Sequence, residues 1–269
     1  GAGGEAATAP PAPEDPEAAA AFAICMNAIN FGSGWWPTIR KRPGHSGYAT
    51  IAAGVTERFR EHGAWAVDEL CAIDAGGIGA VTGQDPDHPL MADFAAALRD
   101  VGEHVREEHG GSFLAVPGAA DGSTPALAGL LARWQAFADE STYEGRPVPF
   151  FKRAQLAAAD LERAGVAPLS GIDRLTAFAD NLVPHVLRLD GILRLDPALE
   201  AAIEAGDLLE HGSYAEIELR ACAVHAVELL AERTDRRLCP AEIDLALWNR
   251  GGQPRYKTVP RPRSRNTAY

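Results

Sequence analysis

The stretch PLMADFAAALRDVGEHVREEH, residues 89–109, decides the fold class. Large apolar side chains recur in it three or four positions apart, so they share one stripe of an α-helix. They are Phe94, Leu98, Val101 and Val105. Proline at the first position is typical of a helix start, and the glycine pair that follows the last residue is typical of a helix end. This stretch therefore predicts a long amphipathic helix.

Helical periodicity dominates the rest of the chain as well. Further helices are predicted at residues 17–27, 48–62, 65–73, 127–139, 152–165, 213–233 and 240–248. Another is predicted from about Gly171 to a break before Pro184, and the next runs from that break to Gly191. The stretch TYEGRPVPFF, residues 142–151, predicts a small β-hairpin, which its two prolines limit to edge pairing. The predicted fold is all-α with at most a small β-hairpin, in one domain over residues 17–269.

The first sixteen residues have a different composition. GAGGEAATAPPAPEDP is rich in Pro, Ala and Glu, which predicts a flexible N-terminal arm over residues 1–16. It lacks the basic region and apolar core of a secretion signal. Elsewhere no apolar run approaches the roughly 20 residues that cross a bilayer, so no membrane partner is expected.

Charge and cysteine content narrow the class of function. The formal net charge is −12, which disfavours binding to a long nucleic acid and suits a small ligand. The basic tail is an exception, and it either docks on the acidic body or contacts phosphate. Its cations are Arg250, Arg255, Lys257, Arg261, Arg263 and Arg265. Four widely spaced cysteines favour a reducing cytoplasm over a disulfide framework, and no metal-binding spacing is present, so neither a metal nor a cofactor is expected.

Asp180 is the first candidate for chemistry. It lies in TAFADNLVPHVLRLDG, residues 176–191, where apolar residues surround it on both sides. Burying a bare charge costs several kcal/mol, so the carboxylate needs a reason to be there. Capping the helix that begins before Pro184 is a sufficient structural reason, worth about 1 kcal/mol. An ionised carboxylate beside the aromatic Phe178 also suits the stabilisation of an oxocarbenium-like transition state, and the two roles are compatible.

Two later helices carry further candidates. Glu218 and His225 share a face of the predicted helix 213–233, and Arg220 shares a neighbouring face with Glu216. An ordinary solvated charge row explains these residues equally well. In the last helix the candidates are Asp244 and Trp248, four positions apart. A carboxylate and an aromatic ring suit recognition of a base, whereas a packed Trp beside a surface Asp is the structural alternative.

Two loop-proximal stretches complete the candidate set. Asn30 and Phe31 open the aromatic, Gly-rich stretch NFGSGWWPTIRKRPGHSGY, which forms either a pocket rim or a loop anchored in the core. Lys152 and Arg153 begin a predicted helix, where the helix dipole disfavours cations. That placement makes sense if an anion or a carboxylate lies nearby.

Seven motifs in order give the chain a family resemblance. They are NFGSGWWP, HSGY, GGSFL, FFKRAQL, LTAFADNLVPHVL, EIELRACAVHAVEL and IDLALW. Over about residues 27–248 the chain resembles the queuosine salvage protein family. The resemblance implies a fold similar to that of the helix-hairpin-helix DNA glycosylases. It also implies hydrolysis of the ribosyl–base bond of queuosine 5′-monophosphate, which releases queuine for reuse in tRNA.

The resemblance also implies roles for several residues. The catalytic carboxylate of the family falls on Asp180, with Phe178 near the base, and Asp244 and Trp248 match the last motif and form part of the base pocket. The 5′-phosphate requires cations or backbone N–H groups, and the candidate cations are Lys152, Arg153, Arg220 and His225. Two other functions stay open: a glycosylase that acts on DNA or tRNA, and a non-catalytic protein that binds queuine or its nucleotide.

Overall fold

The computed structural model describes residues 15–269. The predicted flexible arm therefore lies outside the described residues as far as residue 14. Asp15 already belongs to the folded part, since its side chain accepts a hydrogen bond from the backbone N–H of Glu17 at 3.1 Å and caps the first helix.

The described chain is mostly helical, as predicted. In order its helices are α1 (Pro16–Ala28), α2 (Gly47–His62), α3 (Val67–Ala72), α4 (Ala75–Thr82), α5 (Pro89–His109), α6 (Ala115–Gly118), α7 (Thr124–Leu131), α8 (Lys152–Arg163), α9 (Leu182–Leu189), α10 (Pro197–Ala205), α11 (Tyr214–Arg233), α12 (Pro240–Gly251) and α13 (Pro254–Lys257). Two short 3-10 turns lie at Gln135–Phe137 and Ile172–Arg174.

The predicted hairpin is confirmed. Strands β1 (Glu140–Tyr143) and β2 (Arg146–Pro149) pair antiparallel and form a two-stranded sheet. Both turn residues, Glu144 and Gly145, have positive φ angles of 48° and 74°, as the two-residue turn of a tight hairpin requires. The long amphipathic helix α5 has the predicted bounds, and Gly110 ends it in the left-handed conformation.

The helix predicted from about Gly171 is wrong. A 3-10 turn ends at Arg174, and the next residues run without helical structure as far as α9. Side chains from other helices take the backbone donors that a helix would use. Gln155 accepts from the N–H of Thr176 at 3.0 Å, and Asp244 accepts from the N–H of Phe178 at 3.0 Å. Tertiary hydrogen bonds thus replace the local ones.

Other predicted bounds shift for local reasons. The helix predicted at residues 127–139 begins earlier, because Ser123 caps α7 at Ala126 N, and it ends at Leu131 before the 3-10 turn. Helices α4, α6, α10 and α13 were not predicted. Glycines at three positions of α4 lower its intrinsic helix propensity and hide it from a periodicity search.

Buried apolar side chains form one large cluster and two smaller ones. The large cluster joins α1, α2, α5, α7 and α8. The second joins α9, α11 and α12, and the third is a small group beside the hairpin that includes Phe150 and Ile217. Among the helices described, none combines the length and apolar character needed to cross a membrane.

The non-helical segment of residues 175–180 lies where these three clusters meet. Leu175 and Phe178 belong to the large cluster, Ala177 to the second and Ala179 to the third. Asp180 ends the segment, so the packing of all three clusters fixes the backbone that leads to its carboxylate. The predicted likeness to the helix-hairpin-helix DNA glycosylases stays a prediction.

Candidate functional site

Asp180 is both a helix cap and a buried carboxylate. Its Oδ1 accepts hydrogen bonds from the backbone N–H groups of Leu182 at 2.8 Å and Val183 at 3.0 Å, in the first turn of α9. The residue is only 9% exposed, so it does not point into bulk solvent. Among the described residues Oδ2 has no hydrogen-bond partner, yet it is not fully enclosed. One carboxylate oxygen is therefore fixed by the fold, and the other is open to a ligand.

Asp244 lies on α12 near this carboxylate. Its Oδ1 accepts from Phe178 N at 3.0 Å, which ties α12 to the segment that carries Asp180. Burial, followed by the negative charge of Asp180, raises the pKa of Asp244 well above its usual range. Asp244 therefore favours its neutral, proton-bearing form much more than an exposed aspartate does.

Lys152 is a buried cation that interacts electrostatically with both carboxylates. Its Nζ donates to the backbone carbonyl of Asn30 at 3.0 Å, and its backbone N–H is bound by Asp139 at 2.9 Å. Burial lowers the pKa of Lys152 to about 8, and the charges of Asp180 and Asp244 only partly oppose that shift. None of the described carboxylates lies within 4 Å of Nζ, so the ammonium acts on the two aspartates at longer range.

Arg220 is buried and holds the backbone of the residue that precedes Asp180. Its Nε donates to the carbonyl of Ala179 at 3.0 Å, and its terminal nitrogens contact Asp139 at 2.7 Å and Glu216 at 3.4 Å. The guanidinium also lies over the ring of Phe150, 4.0 Å from its centroid. The structure thus places this candidate phosphate ligand inside the protein, with its donors engaged by protein groups.

Arg153 is also an internal residue. Its Nε donates to the carbonyl of Ala268 at 3.1 Å, and its Nη1 donates to that of Ala28. Its guanidinium lies over the ring of Phe31, 4.9 Å from the centroid. Phe31 in turn packs edge-to-face on Phe94 in the large cluster. Arg153 and Phe31, which were predicted to contact substrate, are therefore part of the core.

The remaining candidates divide into two groups. Phe178 and Asn30 lie beside the carboxylates, the first through Asp244 and the second through Lys152. Trp248 packs edge-to-face against Tyr48, with ring centroids 6.0 Å apart, and so joins α12 to α2. Trp248 lies four positions after Asp244 on α12, and so on the same face of that helix.

Glu218 and His225 do not lie with them. Glu218 is exposed and accepts a hydrogen bond from the hydroxyl of Tyr143 at 2.5 Å, on the hairpin side. His225 lies in an exposed apolar groove together with Cys222 and Ile192. The periodicity placed Glu218 and His225 correctly on α11, but it could not tell which face of that helix meets Asp180.

Tyr48 was not predicted as a site residue, and Arg261 was predicted only as part of the basic tail. Tyr48 is the ring partner of Trp248, and burial, with a smaller contribution from Asp160, raises its pKa to about 12. Arg261 lies close enough to Asp180 for that charge to affect its pKa. The HSGY motif was a signal for Tyr48, whereas nothing local marks Arg261. Within residues 15–269 no group of three His, Cys, Asp or Glu side chains is placed to hold a metal ion.

Comparison with known proteins gives consistent matches. The sequence profile of the queuosine salvage protein family matches residues 10–269. A Sphaerobacter thermophilus protein named queuosine 5′-phosphate N-glycosylase/hydrolase is 31% identical over 266 residues, covering 94% of this chain and 82% of that protein. Proteins of the same name from Mus musculus and Dictyostelium discoideum are 32% and 31% identical. Those matches cover 67% and 68% of this chain, and 59% and 60% of the relatives.

Proposed function

The chain belongs to the queuosine salvage protein family, and from that membership we propose that it hydrolyses the N-glycosidic bond of queuosine 5′-monophosphate. In this reaction the bond between C1′ and the base nitrogen breaks, water adds its oxygen to C1′, and a proton goes to the departing base. The products are queuine and ribose 5-phosphate. Release of queuine makes the base available again for tRNA modification.

The open oxygen of Asp180 is the observation that carries this proposal. Oδ1 is fixed by two backbone N–H groups, which sets the direction of Oδ2 without any motion at the moment of reaction. A fixed negative oxygen beside the sugar stabilises the positive charge that develops at C1′. Both glycosidase geometries use such a carboxylate, either as the nucleophile or as the base that activates water.

Asp244 is the group that assists departure of the base. A 7-deazapurine lacks the ring nitrogen whose protonation helps an ordinary purine leave, so an external proton donor is valuable. The raised pKa of Asp244 keeps a proton available on a carboxyl that is anchored to Phe178. Lys152 balances the charge of Asp180 and keeps that carboxylate compatible with its buried position.

The overall charge and the cysteines support a small substrate in a reducing compartment. A net charge of −12 disfavours a long polyanion, so we assign the mononucleotide rather than tRNA or DNA as substrate. All four cysteines are free thiols, which is typical of a cytoplasmic protein.

The test is incubation of the protein with queuosine and its 5′-monophosphate in parallel, with detection of the free base by mass. We expect base release from the nucleotide without added cofactor. Cleavage of a queuosine-containing tRNA but of neither small molecule would favour a polymer-acting glycosylase. Tight binding without turnover over hours at micromolar protein would favour a binding protein.

A further inference from the structure

The 5′-phosphate of the proposed substrate needs a cation that the protein itself does not neutralise. Arg153 and Arg220 donate to backbone carbonyls and buried carboxylates, and His225 lies in a separate groove. Lys152 lies among aspartates and donates to Asn30. The phosphate ligands predicted from the sequence are therefore either engaged or distant.

The segment after α13 brings another cation to the site. Asn181, the residue after Asp180, donates through Nδ2 to the carbonyl of Pro262 at 2.7 Å. Arg188 of α9 donates through Nη2 to the carbonyl of Pro260 at 3.1 Å. Both neighbours of Arg261 are thus hydrogen-bonded to α9 or to the residue that precedes it, which fixes the backbone of Arg261 beside the catalytic carboxylate.

The guanidinium of Arg261 has no ion pair and no hydrogen bond to any residue in the described part of the chain. It is partly buried, and burial lowers its pKa, an effect that the charge of Asp180 partly opposes. None of its nitrogens is both enclosed and unpartnered, so they remain accessible to a ligand. Arg263 lies near enough for its positive charge to lower the same pKa further.

We infer that Arg261, assisted by Arg263, binds the 5′-phosphate while Asp180 faces C1′ of the same nucleotide. This inference rests on the proposed function. The furanose ring and one methylene group separate the 5′-phosphate from the scissile bond. The cation that binds the phosphate should therefore lie near the Asp180 carboxylate but not in contact with it. A guanidinium donates two parallel hydrogen bonds to phosphate oxygens, which fixes the orientation of the sugar as well as its affinity.

The experiment compares Arg261→Gln, Arg261→Lys and Arg265→Gln with the unmodified protein on the nucleotide and the nucleoside. Arg265 is exposed on the same segment and is the matched control. We expect Arg261→Gln to raise KM for the nucleotide about 10- to 100-fold and to change kcat/KM for the nucleoside less than about 3-fold. Arg261→Lys keeps the positive charge but lacks the planar guanidinium. Its KM for the nucleotide should lie between those of the unmodified protein and of Arg261→Gln.

Equal losses on both substrates would overturn the inference, because Arg261 would then act through Asp180 or through folding. An unchanged KM for the nucleotide would also overturn it. Calorimetric Kd values for the two ligands separate this result from failure of the proposed function. If the unmodified protein binds but does not cleave, hydrolysis fails, and the selective loss of nucleotide affinity in Arg261→Gln still supports the phosphate assignment. Equal Kd values for nucleotide and nucleoside in the unmodified protein would refute that assignment.

Discussion

Arg220 donates a hydrogen bond of 3.0 Å to the backbone carbonyl of Ala179, the residue before Asp180. The same guanidinium contacts two buried carboxylates, those of Asp139 and Glu216. On its ring-facing sides lie Phe150 and Tyr269, with centroids 4.0 and 4.3 Å away. Arg220 therefore joins the hairpin, α11 and the C-terminal segment to the backbone that positions the candidate catalytic carboxylate.

Replacement of Arg220 should destabilise the protein severely. Arg220→Met leaves two buried carboxylates without their cation, which costs about 3–5 kcal/mol in the free energy of unfolding. Urea denaturation measures this value. Arg236→Gln is the matched control, because its ion pairs with Glu228 and Glu232 are exposed and worth at most about 1 kcal/mol. A loss below 1 kcal/mol for Arg220→Met would contradict the supporting role.

Only some of the contacts of Arg220 could be predicted from the sequence. Spacing on the predicted helix paired it with Glu216, and the structure contains that pair. The contact of Arg220 with Asp139 could not be predicted, because the two residues are 81 positions apart and meet only when α11 packs on the start of the hairpin. The spacing thus predicted an exposed ion pair that stabilises the helix by about a few tenths of a kcal/mol. The structure contains a buried network of ion pairs instead.

Near Asp180, too, the sequence predicted the local helix start but not the long-range contacts. Pro184 correctly indicated a helix start just after Asp180, since proline fits the first turn of a helix. The preceding residues were wrongly expected to be helical, because the side chains of Gln155 and Asp244 accept the hydrogen bonds of their backbone N–H groups. Local rules located the carboxylate along the chain, and long-range side-chain contacts set its direction.

Lys152 should produce an alkaline limb in the pH profile. Because burial lowers its pKa to about 8, the ammonium is lost as pH rises from 7 to 9. We expect kcat/KM to fall above about pH 8, and Lys152→Gln to be slower at neutral pH and to lack that limb. Initial rates from pH 6 to 9.5 measure both. A profile that stays flat to pH 9.5 in the unmodified protein would remove Lys152 from the chemistry.

The same shift has a consequence for stability. Between the folded pKa of about 8 and the unfolded value of about 10.4, the unfolded chain binds more protons than the folded one. The free energy of unfolding contributed by Lys152 therefore rises with pH through this window. The difference in stability between the unmodified protein and Lys152→Gln, measured in urea at pH 7.5 and 9.5, should shift in favour of the unmodified protein. A shift in the opposite direction would contradict the assignment.

Asp244→Asn should slow the reaction and change the pH dependence of stability. The amide keeps an acceptor for Phe178 N but has no proton of the required acidity, so we expect kcat to fall about 100-fold or more. Since folding raises the pKa of Asp244, its contribution to stability is greatest below the unfolded pKa of about 3.9 and declines as pH rises. The variant should therefore gain stability relative to the unmodified protein between pH 4.5 and 7.5.

The exposed Asp207 offers a control for this substitution. Asp207→Asn should leave kcat and the pH dependence of unfolding unchanged. If Asp244→Asn retained full kcat, donation of a proton by Asp244 would be refuted. If Asp244→Asn lost stability relative to the unmodified protein as pH rises, the direction of the pKa shift of Asp244 would be refuted instead.

The capping role of Asp180 can be separated from its chemical role. Asn caps a helix about as well as Asp, whereas Ala loses the two bonds to Leu182 and Val183 at a cost of about 1 kcal/mol. We expect Asp180→Ala to melt at a lower temperature and Asp180→Asn to melt nearly as the unmodified protein does. Equal melting temperatures for Asp180→Ala and the unmodified protein would show that the cap contributes nothing to stability.

The rate of queuine release from queuosine 5′-monophosphate by Asp180→Asn tests the central claim most directly. With the cap preserved and the charge removed, we expect the single-turnover rate to fall at least about 100-fold while the fold stays intact. A folded Asp180→Asn protein that releases queuine at the unmodified rate would show that the carboxylate held at the start of α9 takes no part in breaking the bond.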